Sequence, residues 1–148
     1  MKKLLPFLAL LSLSLSLSGC GYNSLQGQDE DVKAAWSEVQ NQYQRRADLI
    51  PNLVNTVKGY AKHEAETLEQ VTKARASATQ ANIDASKLTD QKAFEQFEKS
   101  QGALSSALGR LLVVAERYPD LKANENFRDL QAQLERSEEH TSELQSRL

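Results

Sequence analysis

The chain has one cysteine, two histidines, three prolines and six glycines in 148 residues, and each scarcity removes a class of explanation. A single thiol cannot close an intrachain disulfide, so an oxidising compartment would leave no mark on the fold. The residue four beyond His63 is Thr67 rather than a second histidine, so the several placed ligands that zinc requires cannot be gathered around it. No glycine-rich phosphate loop and no Ser/His/Asp, Cys/His or paired-carboxylate arrangement can be assembled. The one long apolar run, Leu4 to Leu17, is interrupted by Ser12, Ser14 and Ser16 and falls short of the roughly 20 residues a bilayer span needs. Nothing reads as a strand. A formal net charge of −2 argues against nucleic acid and against electrostatic adhesion to anionic lipid.

What is present starts with Lys2 and Lys3, the apolar run, and then Leu17-Ser18-Gly19-Cys20, which matches the lipobox of bacterial lipoproteins. A basic segment, a short apolar segment and small residues before a cut are the marks of a secretory signal. Residues 1–19 are therefore expected to be a lipoprotein signal peptide. Cys20 is expected to accept a diacylglyceryl group and become the new N-terminus, and this covalent lipid is the sole cofactor implied. Acyl chains, each buried methylene contributing about 0.8 kcal/mol, would hold the protein to the membrane. It would face the periplasm or exterior, and Gly21 in place of an aspartate leans towards the outer membrane. The mature chain of about 130 residues suffices for one domain. Residues 20–28 have linker composition, with no apolar period.

From Asp29 the apolar positions Val32, Trp36, Val39, Tyr43, Ile50, Leu53, Val57, Tyr60, Leu68 and Val71 alternate spacings of three and four, the pattern of a long helix with one packing seam. Pro51 removes the bond to the carbonyl of Ala47. Either the helix kinks there or it stops near Asp48 and restarts. The unbroken apolar phase favours the kink, giving a first helix from Asp29 to about Ala78. Thr89 or Asp90 can cap a second helix whose seam runs Phe94, Phe97, Gln101, Leu104, Leu108, Leu111, Ala115 and Tyr118 before Pro119. A third helix begins near Asn124 with Phe127, Leu130 and Leu134. The fold class predicted is all-α, an antiparallel up-and-down helical bundle with a long kinked first helix, a second helix and an incomplete third.

Arg45-Arg46-Ala-Asp48-Leu-Ile-Pro51-Asn52-Leu-Val, followed by Val57-Lys58-Gly-Tyr60-Ala-Lys-His63-Glu64, resembles the signature block of the LemA family of bacterial envelope proteins. Glu116-Arg117-Tyr118-Pro119-Asp120-Leu-Lys-Ala-Asn124 resembles a second family segment, and the likeness covers residues 22–135. The resemblance implies a helical domain over 29–135 on the outer face of a membrane and no established enzymatic activity. It also implies a role in envelope organisation or beside membrane proteases. From Arg136 the chain reads Ser-Glu-Glu-His-Thr-Ser-Glu-Leu-Gln-Ser, similar to the in-frame translation of a sequencing adapter. Residues 136–148 are therefore expected to be an artefactual tail replacing the rest of the third helix, with exposed seam or a second copy of the chain as the consequence.

The function expected is non-enzymatic: a membrane-tethered protein acting through protein or membrane contacts, with an envelope protein as partner. The alternative is a carrier or chaperone-like module taking a peptide or lipid between the first two helices, which a cavity there would favour and a solid seam would not. Candidate interaction residues are Arg45, Arg46, Asp48, Pro51, Asn52, Lys58, Tyr60, His63 and Glu64. Arg46 is the sharpest, because an unpaired charge on an apolar seam is costly. It pairs with a carboxylate of a neighbouring helix or it marks a docking surface. Arg45 with Asp48, and Lys62 with Glu66, have the spacing of surface ion pairs. Gly102 and Gly109, one per two turns, suit close helix approach.

Overall fold

The structure is a computed structural model that describes the backbone of residues 19–145 and the side-chain surroundings of residues 26–144. Residues 1–18 of the expected signal peptide, and the side chain of Cys20, lie outside that description. Two compact units are present, residues 1–35 and residues 36–148. In the first, the described residues are helical, with Lys33 Nζ 2.5 Å from Asp29 Oδ2 one turn earlier. The linker expected at 20–28 is helical too. Its glutamines and leucine are good helix formers, and propensity costs at two glycines are about 1 kcal/mol each, too little to break a helix that long.

The elements are α1 (Gly19–Tyr60), α2 (Ala65–Gln80), a 3-10 turn (Ala85–Lys87), α3 (Gln91–Ala115), α4 (Pro119–Ala123) and α5 (Glu125–Gln145). Among the described residues there is no strand, and none of the helices is long and apolar enough to cross a membrane. The all-α bundle is the observed fold.

α1 runs unbroken through Pro51. The interruption falls instead at residues 61–64, where Glu64 N–H donates to the Ala61 carbonyl at 3.1 Å and closes a tight turn. The single helix expected from Asp29 to Ala78 is therefore two, α1 and α2. The seam hides this, because Val57, Ala61, Leu68 and Val71 are all buried and keep helical spacing across the break. Val32 and Tyr60, placed on the seam by spacing, are exposed.

Asp90 caps α3, its carboxylate accepting from the backbone N–H of Lys92 and Ala93, which satisfies donors the first turn would leave open. α3 stops at Ala115, three residues before the expected end, because Arg117 and Tyr118 bond back to Val114 and Ala115 in a tighter turn. Pro119 then opens α4, where its missing N–H is no loss. Asn124 caps α5, with Phe127 N–H donating to its side-chain oxygen at 3.0 Å.

The main core gathers Ile50, Leu53, Val57, Leu68, Val71, Leu104, Leu111, Leu121, Phe127 and Leu134 from all five helices. A second cluster, at the end of the bundle where Trp36 lies, joins Val39, Ile83, Phe97 and Leu144 to that tryptophan. There the Trp36 indole donates to the Ile83 carbonyl at 3.1 Å, and Phe97 stands edge-on to both Trp36 and Tyr43 at 5.5 and 5.0 Å between centroids, the arrangement ring quadrupoles prefer. Residues 136–145 do not behave as the unpacked tail expected of them. They continue α5, burying Ser137, Thr141 and Leu144, because two small hydroxyls fit the seam when each bonds a carbonyl: Ser137 Oγ to Gln42 O and Thr141 Oγ1 to Ser137 O.

Candidate functional site

Pro51 leaves the carbonyl of Ala47 without its helical partner, and Ala47 is buried. Arg75 of α2 supplies the missing donor: its Nε donates to Ala47 O at 2.6 Å. The arginine that breaks the apolar run of α2 is therefore placed by the proline of α1, and it ties the two helices together.

Arg46, one turn before Pro51, is 4% exposed. Its Nη2 donates to Ser105 Oγ of α3 at 2.8 Å and to the Glu138 carboxylate of α5. Its Nε is buried with no partner. Burial pushes the guanidinium below its ordinary value, and the Glu138 and Tyr43 charges oppose that shift. Glu138 is itself half exposed, so the pair is only partly desolvated.

The break at 61–64 and the turn at 116–118 meet at the end of the bundle remote from Trp36. Glu64 Oε1 accepts from Arg117 Nη2 at 3.1 Å and from Tyr118 Oη at 3.2 Å, and Asn124 Nδ2 donates to Tyr60 Oη at 3.0 Å. Glu64 thus spends its carboxylate across the joint and makes no cap bond to its own helix. Burial, the bond to Glu64 and its charge raise the Tyr118 phenol above its ordinary value, with Arg117 opposing. Neither Arg117 nor Tyr118 is among the interaction candidates drawn from sequence, although both lie in the second signature segment.

Other expected residues go elsewhere. Arg45, Asp48, Pro51, Asn52, Lys58 and His63 are exposed. Asp48 accepts from Gln44 rather than Arg45, and Glu66 from Gln70 rather than Lys62. Gly102 and Gly109 face open space, with no atom within 4 Å of a Cβ built on either, so no described helix of the chain approaches them closely. Among the described residues no three metal-binding side chains converge. The seam where α1, α2 and α3 meet is closely packed. An opening in it, beside Tyr43, Ala47, Ala78 and Leu104, measures about 20 Å³, room for about one water. A larger, open groove of about 580 Å³ between α2 and α3 is lined by Ser77, Ala81 and Ala103 with Lys92, Glu95 and Lys99 on its rim.

An all-helical bundle knotted at one end by two separated signature segments defines the class of protein. Residues 35–147 match the model of the LemA family, and the chain belongs to that family. The match runs through the segment after Arg136 that the resemblance leaves out. "Protein LemA" of Metamycoplasma hominis is 26% identical over 117 residues, 79% of this chain and 49% of that protein, so the chain spans about half the length of this relative.

Proposed function

We propose that this LemA-family chain is a lipid-tethered protein of the bacterial envelope that works by contact with a protein partner, not by catalysis. One observation carries the reading. The signature block divides into residues that build the bundle, Arg46, Pro51, Tyr60 and Glu64, and residues whose side chains bond to nothing beyond their own helix. Arg45, Asp48, Asn52 and Gly59 fall within about 60° of one another at 100° per residue, a single exposed face of α1. Among the described residues, Arg45 and Asn52 find no side-chain hydrogen-bond partner, so neither is explained by folding, and an outward polar stripe of specific residues suits a partner's surface. The seam between α1 and α3 has room for about one water, and the groove between α2 and α3 is open, with charged side chains on its rim, which suits an enclosed peptide or lipid less well than a partner's surface. The tether rests on the Leu17-Ser18-Gly19-Cys20 string, and a membrane-bound protease is one partner the family resemblance suggests.

Two measurements test this. Cys20→Ala should release the protein from the membrane fraction or leave the precursor uncut, and an intact mass without an acyl adduct on the unmodified protein would refute the tether. A photo-crosslinking residue at Asn52 should give a discrete adduct with an envelope protein in living cells. An adduct pattern no different from that of the same probe at Lys73, on another helix, would refute the docking face.

A further inference from the structure

One face of α3 is covered by none of the described residues. Gly102, Ser106, Gly109 and Val113 fall within about 60° of one another around the helix, and all four are exposed, Val113 at 68%. Helix-interior glycines weaken a helix, and the monomer has no need of these two, since a Cβ on either would meet nothing. Charge is segregated along the same stripe. Lys99 and Arg110 line one flank, and Glu98 lines the other, all exposed.

We infer that this face docks a second copy of the chain, side by side and parallel, about a two-fold axis running along α3. The charge pattern selects that occupant and that direction. In a parallel pair the two-fold axis turns the acidic flank of one copy to the basic flank of the other at the same height, so Glu98 meets the partner copy's Lys99, a contact made twice. An antiparallel pair would set basic flank against basic flank. The two glycines, with the small side chain of Ser106 between them, let the two backbones approach closely, as small residues one turn apart do in paired helices, and Val113 packs against its counterpart. Glu95, on the same stripe but about 16 Å from Ser106, moves away from its counterpart as the helices diverge from their crossing point. A parallel pair also puts Trp36, where the chain enters the bundle, at the same end in both copies, the arrangement two chains tethered to one surface require. Tethering raises the effective concentration of a weak pair.

The test uses the full chain in its native membrane. Val113→Cys should give a dimer with a short bismaleimide at several times the yield of Asn55→Cys, an exposed control on α1. Gly109→Leu added to Val113→Cys should reduce that yield to the control level without lowering the melting temperature, because the leucine meets nothing in its own chain. Glu98→Lys should weaken the cross-link, and the double exchange Glu98→Lys with Lys99→Glu should restore it. A Val113→Cys yield equal to the control, a product joining the chain to a different protein, or a Glu98→Lys defect that the double exchange fails to rescue would each overturn the parallel pair.

Discussion

Replacing Arg75 with Met keeps the apolar stem and removes the donor that reaches the Ala47 carbonyl across the gap made by Pro51. A hydrogen bond from a charged donor contributes about 1.5 to 3 kcal/mol. Arg75 is half-buried, so the lower end applies, about 1.5 to 2 kcal/mol. In a domain of this size that lowers the melting temperature by about 6 °C. Pro51→Ala restores an N–H one turn from Ala47, and the helix then satisfies its own carbonyl. In that background Arg75→Met should cost only about 0.5 kcal/mol, leaving a coupling of about 1 kcal/mol or more between positions 51 and 75. The four proteins of the cycle, melted in urea and followed by circular dichroism, measure this directly. Additivity within about 0.3 to 0.5 kcal/mol would refute the claim that the arginine stands in for the proline's missing bond.

Glu138→Gln, which leaves the Arg46 guanidinium buried without its countercharge, should destabilise by about 1 to 2 kcal/mol, discounted because Glu138 is half exposed. Arg46→Met removes the buried charge and should be neutral within about 1 kcal/mol; urea denaturation giving the opposite order would show the carboxylate to be incidental. A chain ending at Glu135 loses Glu138, the Ser137 bond to Gln42 and buried Leu144. It should melt at least about 5 °C lower, and an unchanged melting point would mean that the packing of 136–145 contributes nothing. The Tyr118 phenol is raised in the folded state, so its contribution is complete below the unfolded value near 10 and is lost as pH rises through the folded value. Tyr118→Phe should therefore flatten the fall in melting temperature above about pH 10, and parallel curves for the two proteins would refute it.

The helices were legible because their seams repeat at three and four, and the start of α3 because the short polar side chains of Thr89 and Asp90 stand just before it. The break at 61–64 was not legible. Four residues is close to one turn, so the gap preserves the phase that periodicity detects, and what opens the helix is Glu64 reaching Arg117 and Tyr118 more than fifty residues away. Pro51, the residue that announces a break, makes none, because Arg75, far along the chain on α2, answers the vacant carbonyl. The spacing of the α3 glycines suits a close helix contact, but among the described residues no helix of the chain makes one, because spacing alone does not say which face a neighbour covers. The serine-rich stretch after Arg136 reads as unable to pack. Counting apolar residues misses hydroxyls that bury themselves by bonding a carbonyl, as Ser137 and Thr141 do.

These corrections share a cause that bears on how the signature segments should be read. Three irregular points of the bundle are tied by side chains from distant parts of the chain: Arg75 answers the open Ala47 carbonyl, and the turns at 61–64 and 116–118 are joined side chain to side chain by Glu64 with Arg117 and Tyr118 and by Asn124 with Tyr60. Such joints demand particular residues, because only a donor or acceptor of the right length completes them and an open buried carbonyl is costly. A joint residue therefore looks as specific in sequence as a binding residue. The two are separated by asking what each side chain touches once the chain is folded. Tyr60 and Glu64, among the candidates for partner contact, are occupied in holding the bundle's end together, and changing them would disturb a partner only by disturbing the fold. Arg45 and Asn52 have no such occupation among the described residues, so a loss of function there with an intact melting transition would report on contact alone.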